Sequence, residues 1–258
     1  MPLPNYSIYF DGIDIAGLNG VTVYNYKVNS LPPRKLTLHE IANKDLSILT
    51  RAEYNTKEIV VNAVVCGNTR TQSEILFLNL KTALQRINKA LTISQYGEQI
   101  NYTCTLYSIK DEWTGNEIEI TLIFTASDPV GRATGTSQLI SSATITLQSQ
   151  GVTGTVAGSY PASPLITAEI NSGTDMIDQK INIGNSATGQ GITVTRTWTA
   201  GDVLSVDSEN MIVAVNGAIT DYEGAFPMFS PGVATVGYLD TFATRNVTLS
   251  GVYYKKYI

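Results

Sequence analysis

The stretch Trp198–Gly232, WTAGDVLSVDSENMIVAVNGAITDYEGAFPMFSPG, decides the reading of the second half of the chain. Val203 to Asp207 alternates apolar and polar residues, Ser208-Glu209-Asn210 supplies turn formers, and Met211 to Val215 is rich in β-branched residues. Asn216-Gly217 then turns the chain before Ala218 to Tyr222. Asn-Gly between two such runs is the strongest short-range hairpin signal, because a type I′ turn needs positive φ at both central positions and these residues tolerate it at least cost. The stretch therefore predicts an array of hairpins.

Working outward, every periodic segment from Pro164 onward is strand-like: Leu165–Ile170, Lys180–Ile183, Ile192–Trp198, Val233–Val236 and Val247–Tyr254. Short strands with turn residues between them imply an all-β sandwich or jelly roll. Gly131 to Ser159 shifts to Gly, Ser, Thr and Ala with one short strand-like run, Thr144–Gln148, and reads as a connector.

The first half differs by one feature. Leu76, Leu80, Ala83, Leu84, Ile87 and Leu91 recur at helical spacing behind Thr71-Gln72-Ser73-Glu74, which fits a capping box, so one amphipathic helix is predicted from Thr71 to about Lys89. Around it lie strand patterns at Tyr6–Phe10, Ile13–Ile15, Val21–Val28, Glu58–Cys66, Leu91–Gln95, Asn101–Tyr107 and Glu117–Ala126. Leu31-Pro32-Pro33 interrupts pairing, and residues 34–57 form a polar excursion holding the turn cluster Asn43-Lys44-Asp45. The expected fold is mainly β: an α+β N-terminal domain, one helix on an antiparallel sheet, followed by an all-β domain.

Composition narrows the function. The chain has 258 residues, enough for two ordinary domains, and only 15% of them are charged, against roughly 25% in soluble domains. A formal net charge of −5 supplies no electrostatic footprint for nucleic-acid phosphates or anionic lipid. No apolar run reaches the ~20 residues of a membrane span, and MPLPNYSIYF has no signal-peptide pattern, so a chain made and kept in solution is expected. Cys66 and Cys104 are the only cysteines, each in a strand-like run, which favours buried thiols over a disulfide.

Chemistry-bearing patterns are sparse. His39 is the only histidine and reads as a surface or interface residue, and no GxSxG, HExxH or phosphate-cradling loop is present. Gly184-Asn185 and Gly189-Gln190-Gly191 lack a strand-to-helix context and read as turns. Asp202 and Asp207 stand an odd number of strand positions apart and so point to opposite faces, which favours capping over a paired acid and base or a calcium site. No catalytic residue, metal or cofactor is assigned. Trp198, Tyr222 and Phe226 are the candidate contacts for a glycan or a partner protein, with core packing the competing role for Trp198. Tyr24, Tyr26, Tyr253, Tyr254 and Tyr257 suit either a half-buried sheet or a protein–protein contact.

The order of parts carries more information than any single motif. YFDG (9–12), LPPRK (31–35), NKD (43–45), EIVVNAVV (58–65), RTQSEILFLNLKTALQRI (70–87) and IEITLIFTASDP (118–129) resemble, in that sequence, the N-terminal domain of siphophage distal tail proteins. GSYPASPLITAEI (158–170) and the stretch from Gly189 to Gly232 resemble the entry and core of their C-terminal domain. The excursion departs from the family at ANKDLS (42–47), where a turn closer to RDG is usual. The resemblance implies a non-enzymatic structural protein, with a ring-forming domain at 1–132 and a galectin-like or carbohydrate-module-like jelly roll at 133–250. In some relatives the final strand returns to the N-terminal domain, an expectation carried over to residues 251–258. It further implies a homohexameric ring at the virion tail tip, made in the host cytoplasm, with a central channel through which DNA passes without specific binding. The implied partners are the tail tube protein, a tail-associated lysin or tip protein, and receptor-binding or baseplate proteins. A carbohydrate-binding module for host cell-surface glycans is the alternative.

Overall fold

The computed structural model describes residues 6–29, 34–40, 47–174 and 176–258. The chain divides into two compact units, Met1–Thr134 together with Ile258, and Gly135–Tyr257. Strand accounts for 63% of it and helix for 7%, so the mainly-β expectation holds.

In the first unit the elements run β1 (Tyr9–Phe10), β2 (Ile13–Asp14), β3 (Val21–Val28), β4 (Arg34–Glu40), β5 (Ser47–Tyr54), β6 (Lys57–Cys66), α1 (Arg70–Leu84), β7 (Lys89–Gln95), β8 (Glu98–Thr114) and β9 (Glu117–Ala126). All pairings are antiparallel, in the order β2-β1-β7-β8-β9-β6-β3. The polar excursion is a two-stranded ribbon, β4 with β5, paired to no other described strand. Pro32, Pro33 and the Asn43-Lys44-Asp45 turn lie outside the described residues, as does the His39 side chain. Period-2 alternation puts Ile59, Val61, Ala63 and Val65 of β6 into the core, where α1 packs over β6 and β9 through Phe77, Leu80 and Leu84.

The helix begins and ends earlier than its periodicity suggested. Its N-cap is Thr69, whose side chain accepts from the Gln72 amide at 3.2 Å, while the Gln72 side chain accepts from the Asn68 amide at 2.9 Å. The cap is thus Thr69 with Gln72, two residues before the Thr71-x-x-Glu74 pattern, and the glutamine reaches the amide of the residue before the cap rather than that of Thr69 itself. The C-cap is Gln85, and Ile87 is exposed rather than part of the apolar face. Lys89 already belongs to β7, whose pairing with β8 competes successfully for the end of the helical pattern.

Residues 131–159, read as a connector, are strands instead: β10 (Gly131–Ile145) and β11 (Ser149–Val156). Their Gly, Ser and Thr residues alternate with buried Ala133, Leu139, Ile145 and Val156 too sparsely to register as a strand pattern, and the ladder hydrogen bonds to neighbours decide the conformation. There follow β12 (Leu165–Thr174), β13 (Gln179–Asn185), β14 (Gly191–Arg196), β15 (Val203–Asp207), β16 (Ile212–Val215), β17 (Ala218–Ile219), β18 (Glu223–Gly224), β19 (Gly232–Asp240) and β20 (Thr244–Tyr257).

In the second unit one sheet has the order β17-β16-β15-β12-β20-β10 and the other β11-β19-β13-β14-β18. Ile166, Ala168, Leu204, Val206, Val247 and Leu249 of the first share one core cluster with Ile181, Ile183, Ile192, Val194, Val236 and Tyr238 of the second, which makes the unit a two-sheet sandwich. The hairpin array of Trp198–Gly232 contributes to both sheets. β15 pairs β16 across the turn at 208–211, β16 pairs β17 across Asn216-Gly217, and β18 pairs β14. Asn216 and Gly217 have φ of 52° and 80°, as a type I′ turn requires. Met211, read as the first residue of a strand, sits at φ 57° and closes the preceding turn.

Candidate functional site

The carboxylates of the hairpin array each serve their own turn. Asp202 is buried and accepts from the Thr199 amide at 2.9 Å and from the Asn216 side-chain amide at 2.7 Å. The Asn216 side-chain oxygen accepts from the Val203 amide at 2.9 Å, so Asp202 and Asn216 clasp the open end of the β15–β16 hairpin, opposite its turn. Burial pushes the Asp202 carboxyl up, but hydrogen bonds from Thr199 and Asn216 and the nearby Arg196 charge outweigh it and hold the group below the usual carboxylate range. Asp207 caps the next turn, accepting from the Glu209 and Asn210 amides at 3.0 Å each. Asp221 and Glu223 are exposed. Among the described residues no group of three or more His, Cys, Asp and Glu side chains is arranged to hold a metal ion.

The two cysteines are free. Cys104 is buried, and burial pushes its thiol up to about 12. Cys66, expected to be buried, is exposed, because it takes the outward-pointing last position of β6.

The structure separates the three aromatic candidates. Trp198 is 2% exposed, its indole N–H donates to the Gln179 carbonyl at 3.0 Å, and it belongs to the sandwich core; no ring face is open to solvent. Tyr222 is 43% exposed and makes an edge-to-face contact with half-buried Phe226 at 5.3 Å between ring centroids. The tyrosines divide in the same way. Tyr253 is buried, its hydroxyl accepting from the Ala157 amide at 2.8 Å, whereas Tyr254 is exposed.

A concavity in the second unit lies on the outer face of the β11-β19-β13-β14 sheet and has a volume of about 230 Å³. Gly151, Gly184 and Gly237 line it, one per strand: Gly184 pairs Gly237 and Gly237 pairs Gly151, and beyond the concavity Gly191 pairs Gly184. A Cβ at Gly184 would stand 2.3 Å from the Gln190 carbonyl oxygen, so the turn at 185–190 folds tightly over that strand end only because the position is glycine. Asn182, Leu239 and Ser149 stand along one side, in register with one another, and Ser186 and Gln190 rise from the turn on the other. Every lining side chain is uncharged. The sequence reading of Gly184-Asn185 and Gly189-Gln190-Gly191 as turns holds, with the Asn185 amide donating to the Gln190 carbonyl at 2.7 Å. It did not reveal that they border a groove, because register across four strands sets the glycine line.

A buried polar network behind this sheet was also not visible in the sequence. Asp240 is 0% exposed and accepts from the Tyr238 hydroxyl at 2.8 Å, the Phe242 amide at 3.0 Å and the Arg245 Nε at 2.9 Å. Arg245 also donates to the Phe242 carbonyl. Every oxygen of the carboxylate is engaged, which is the condition under which a buried charge is tolerated.

Residues 157–257 match the family described as siphovirus-type tail component, C-terminal domain. The match spans 101 of the 258 residues and lies within the second unit. The resemblance to siphophage distal tail proteins carried by the order of motifs is borne out by this tail-component domain. The fold is similar to that of the SPP1 Dit (gp 19.1) protein, described as a paradigm of the hub adsorption apparatus in Gram-positive-infecting phages. That likeness covers 99% of this chain and 100% of the other, with a TM-score of 0.73 and 16% identity, and it establishes a shared fold. A chain of the phage P2 baseplate in its activated conformation with Ca is covered to 99%, against 98% of this chain, at a TM-score of 0.43 and 7% identity. No curated protein matches the chain.

Proposed function

We propose that this chain is the distal tail protein of a siphophage, a non-enzymatic hub that joins the tail tube to the tip or baseplate and to the host-adsorption proteins. The observation that carries the reading is the match of residues 157–257 to the tail-component family, and a fold similar over nearly the whole chain to that of the SPP1 hub protein supports it. In this reading residues 1–132 of six copies form the ring, and residues 133–250 project outward as the jelly-roll domain. The tube protein, a tail-associated lysin or tip protein and receptor-binding or baseplate proteins are its partners in the virion.

Physical features of the first unit suit a ring. Among the described strands β3 pairs only β6 and β2 pairs only β1, so the sheet ends in open edges. An open edge invites pairing with another chain, and a closed cyclic assembly covers each edge with the next copy. A net charge of −5 also suits a channel that lets DNA pass without holding its phosphates.

Light scattering on the size-fractionated full chain, with negative-stain imaging, tests the proposal. A particle of six 27.9 kDa chains, or a dimer of such rings, with six-fold symmetry is expected. A strictly monomeric chain that assembles neither alone nor on tail tube or tip proteins would overturn it.

A further inference from the structure

We propose that the glycine-floored groove of the second unit is a binding site for a neutral saccharide. The inference stands apart from the assembly reading, since the groove lies within one sheet of one unit.

The groove is built by register. Four glycines aligned across β14, β13, β19 and β11 remove side chains along a line perpendicular to the strands, while the positions on either side keep theirs. A sheet surface normally presents a continuous carpet of side chains. The 185–190 turn covers Gly184 and Ser186 stands over Gly237, which leaves the exposed backbone at Gly151 as the place where a flat ring can approach closely.

The lining has the chemistry of a hydroxyl-bearing, uncharged ligand. Asn185 and Gln150 are committed to the fold: Asn185 donates to the Met228 carbonyl at 2.6 Å and Gln150 to the Thr144 carbonyl at 3.2 Å. The Asn182 side-chain oxygen, the Gln190 side-chain nitrogen and the Ser149 and Ser186 hydroxyls have no intramolecular partner among the described residues, and none is a buried orphan. They therefore offer both donors and acceptors that water occupies and that sugar hydroxyls can take over. The Asn182 nitrogen is tied to the Thr193 hydroxyl at 2.8 Å, which orients its oxygen before any ligand arrives. Leu239 is 47% exposed at the groove wall and supplies an apolar surface for the C–H face of a sugar ring. No charged side chain lines the site, which disfavours phosphate and carboxylate ligands.

The groove also gives the exposed aromatic pair a place. The glycine line ends where the Ala225 amide donates to the Gly191 carbonyl at 3.0 Å, one residue from Phe226 and three from Tyr222. Sugar contact thereby moves away from Trp198, which the core encloses, to the groove.

Saturation-transfer NMR on the full chain, with maltotriose and the N-acetylglucosamine trimer as probes and glycerol phosphate as the charged control, tests the site. Transfer to at least one neutral trisaccharide and none to glycerol phosphate is expected. Gly151→Leu places a side chain on the open floor, where a Cβ would meet only the Thr235 methyl at 2.9 Å, and should abolish the transfer. Ser186→Ala combined with Gln190→Ala removes two hydrogen-bonding groups without adding bulk and should weaken binding about tenfold. Absence of transfer from both sugars to the folded wild-type chain, transfer to glycerol phosphate alone, or full transfer to the Ser186→Ala, Gln190→Ala variant would each overturn the proposal. The last readout decides the question even if Gly151→Leu fails to fold, and a ring of six copies that binds neither sugar would sink this site while leaving the hub reading intact.

Discussion

Asn216 shows how much one side chain can hold. Its backbone turns the chain at φ 52°, its side-chain oxygen accepts from Val203, and its side-chain nitrogen donates to buried Asp202. Asp202 is ionised more readily in the folded chain than in the unfolded one, where an aspartate titrates near 3.9. The folded group therefore stabilises the protein fully above about pH 4, and that contribution fades as pH falls through the lowered folded value. Asp202→Asn should lower the urea midpoint at pH 7, and the gap from wild type should shrink by pH 3. Circular-dichroism melts in urea at the two pH values check this; a gap that widens on acidification would contradict the assignment. Asp240 is enclosed more deeply, with Arg245 and Tyr238 donating to its carboxylate rather than the amides of a turn.

Among the elements, α1 separates two ways of reading a helix start. Thr71 and Glu74 have the right spacing, yet Thr69 makes the cap, supported by the Gly67 amide donating to the Ser73 hydroxyl at 2.8 Å. Ser73 is fully buried against the sheet, so tertiary packing sets which turn is first. Thr69→Ala should cost about 1 kcal/mol, the usual value of a lost N-cap. Thr71→Ala, at an exposed interior position, should be neutral or slightly stabilising, since alanine is the better helix former. Equal losses in thermal or urea denaturation of the two variants would put the cap back at Thr71. β10 and β11 make the complementary point: their low-complexity sequence reads as a linker, and only their neighbours' ladders make them strands.

At the scale of the whole molecule, the open edge of β3 matters for assembly. Asn25 is exposed on that strand, next to Lys27 in the outward alternation, so a second lysine there leaves the core untouched. Charge on an edge opposes strand pairing. Asn25→Lys should shift the mass distribution from rings toward single chains while the melting transition stays within a few degrees of wild type. Rings of undiminished stability would place the subunit contact elsewhere in the first unit.

Much of the architecture was legible in local pattern. The Asn216-Gly217 turn, the strands β3, β6, β9 and β15, and the single helix all follow from turn chemistry, from apolar runs and from periods of 2 and 3.6, which neighbouring residues alone impose. The order of those patterns also carried the resemblance to distal tail proteins, because order along a chain is a property of sequence. Other features depend on which strand lies beside which. The sequence allowed Trp198 to be core or surface, and the sandwich enclosed it. Gly151, Gly184, Gly191 and Gly237 are scattered along the sequence, and antiparallel register draws them into one line across the sheet. Partners such as Gly151 and Gly237, 86 residues apart in the chain, are chosen by the pairing of strands within one sheet, and only tertiary structure could place a candidate site along them.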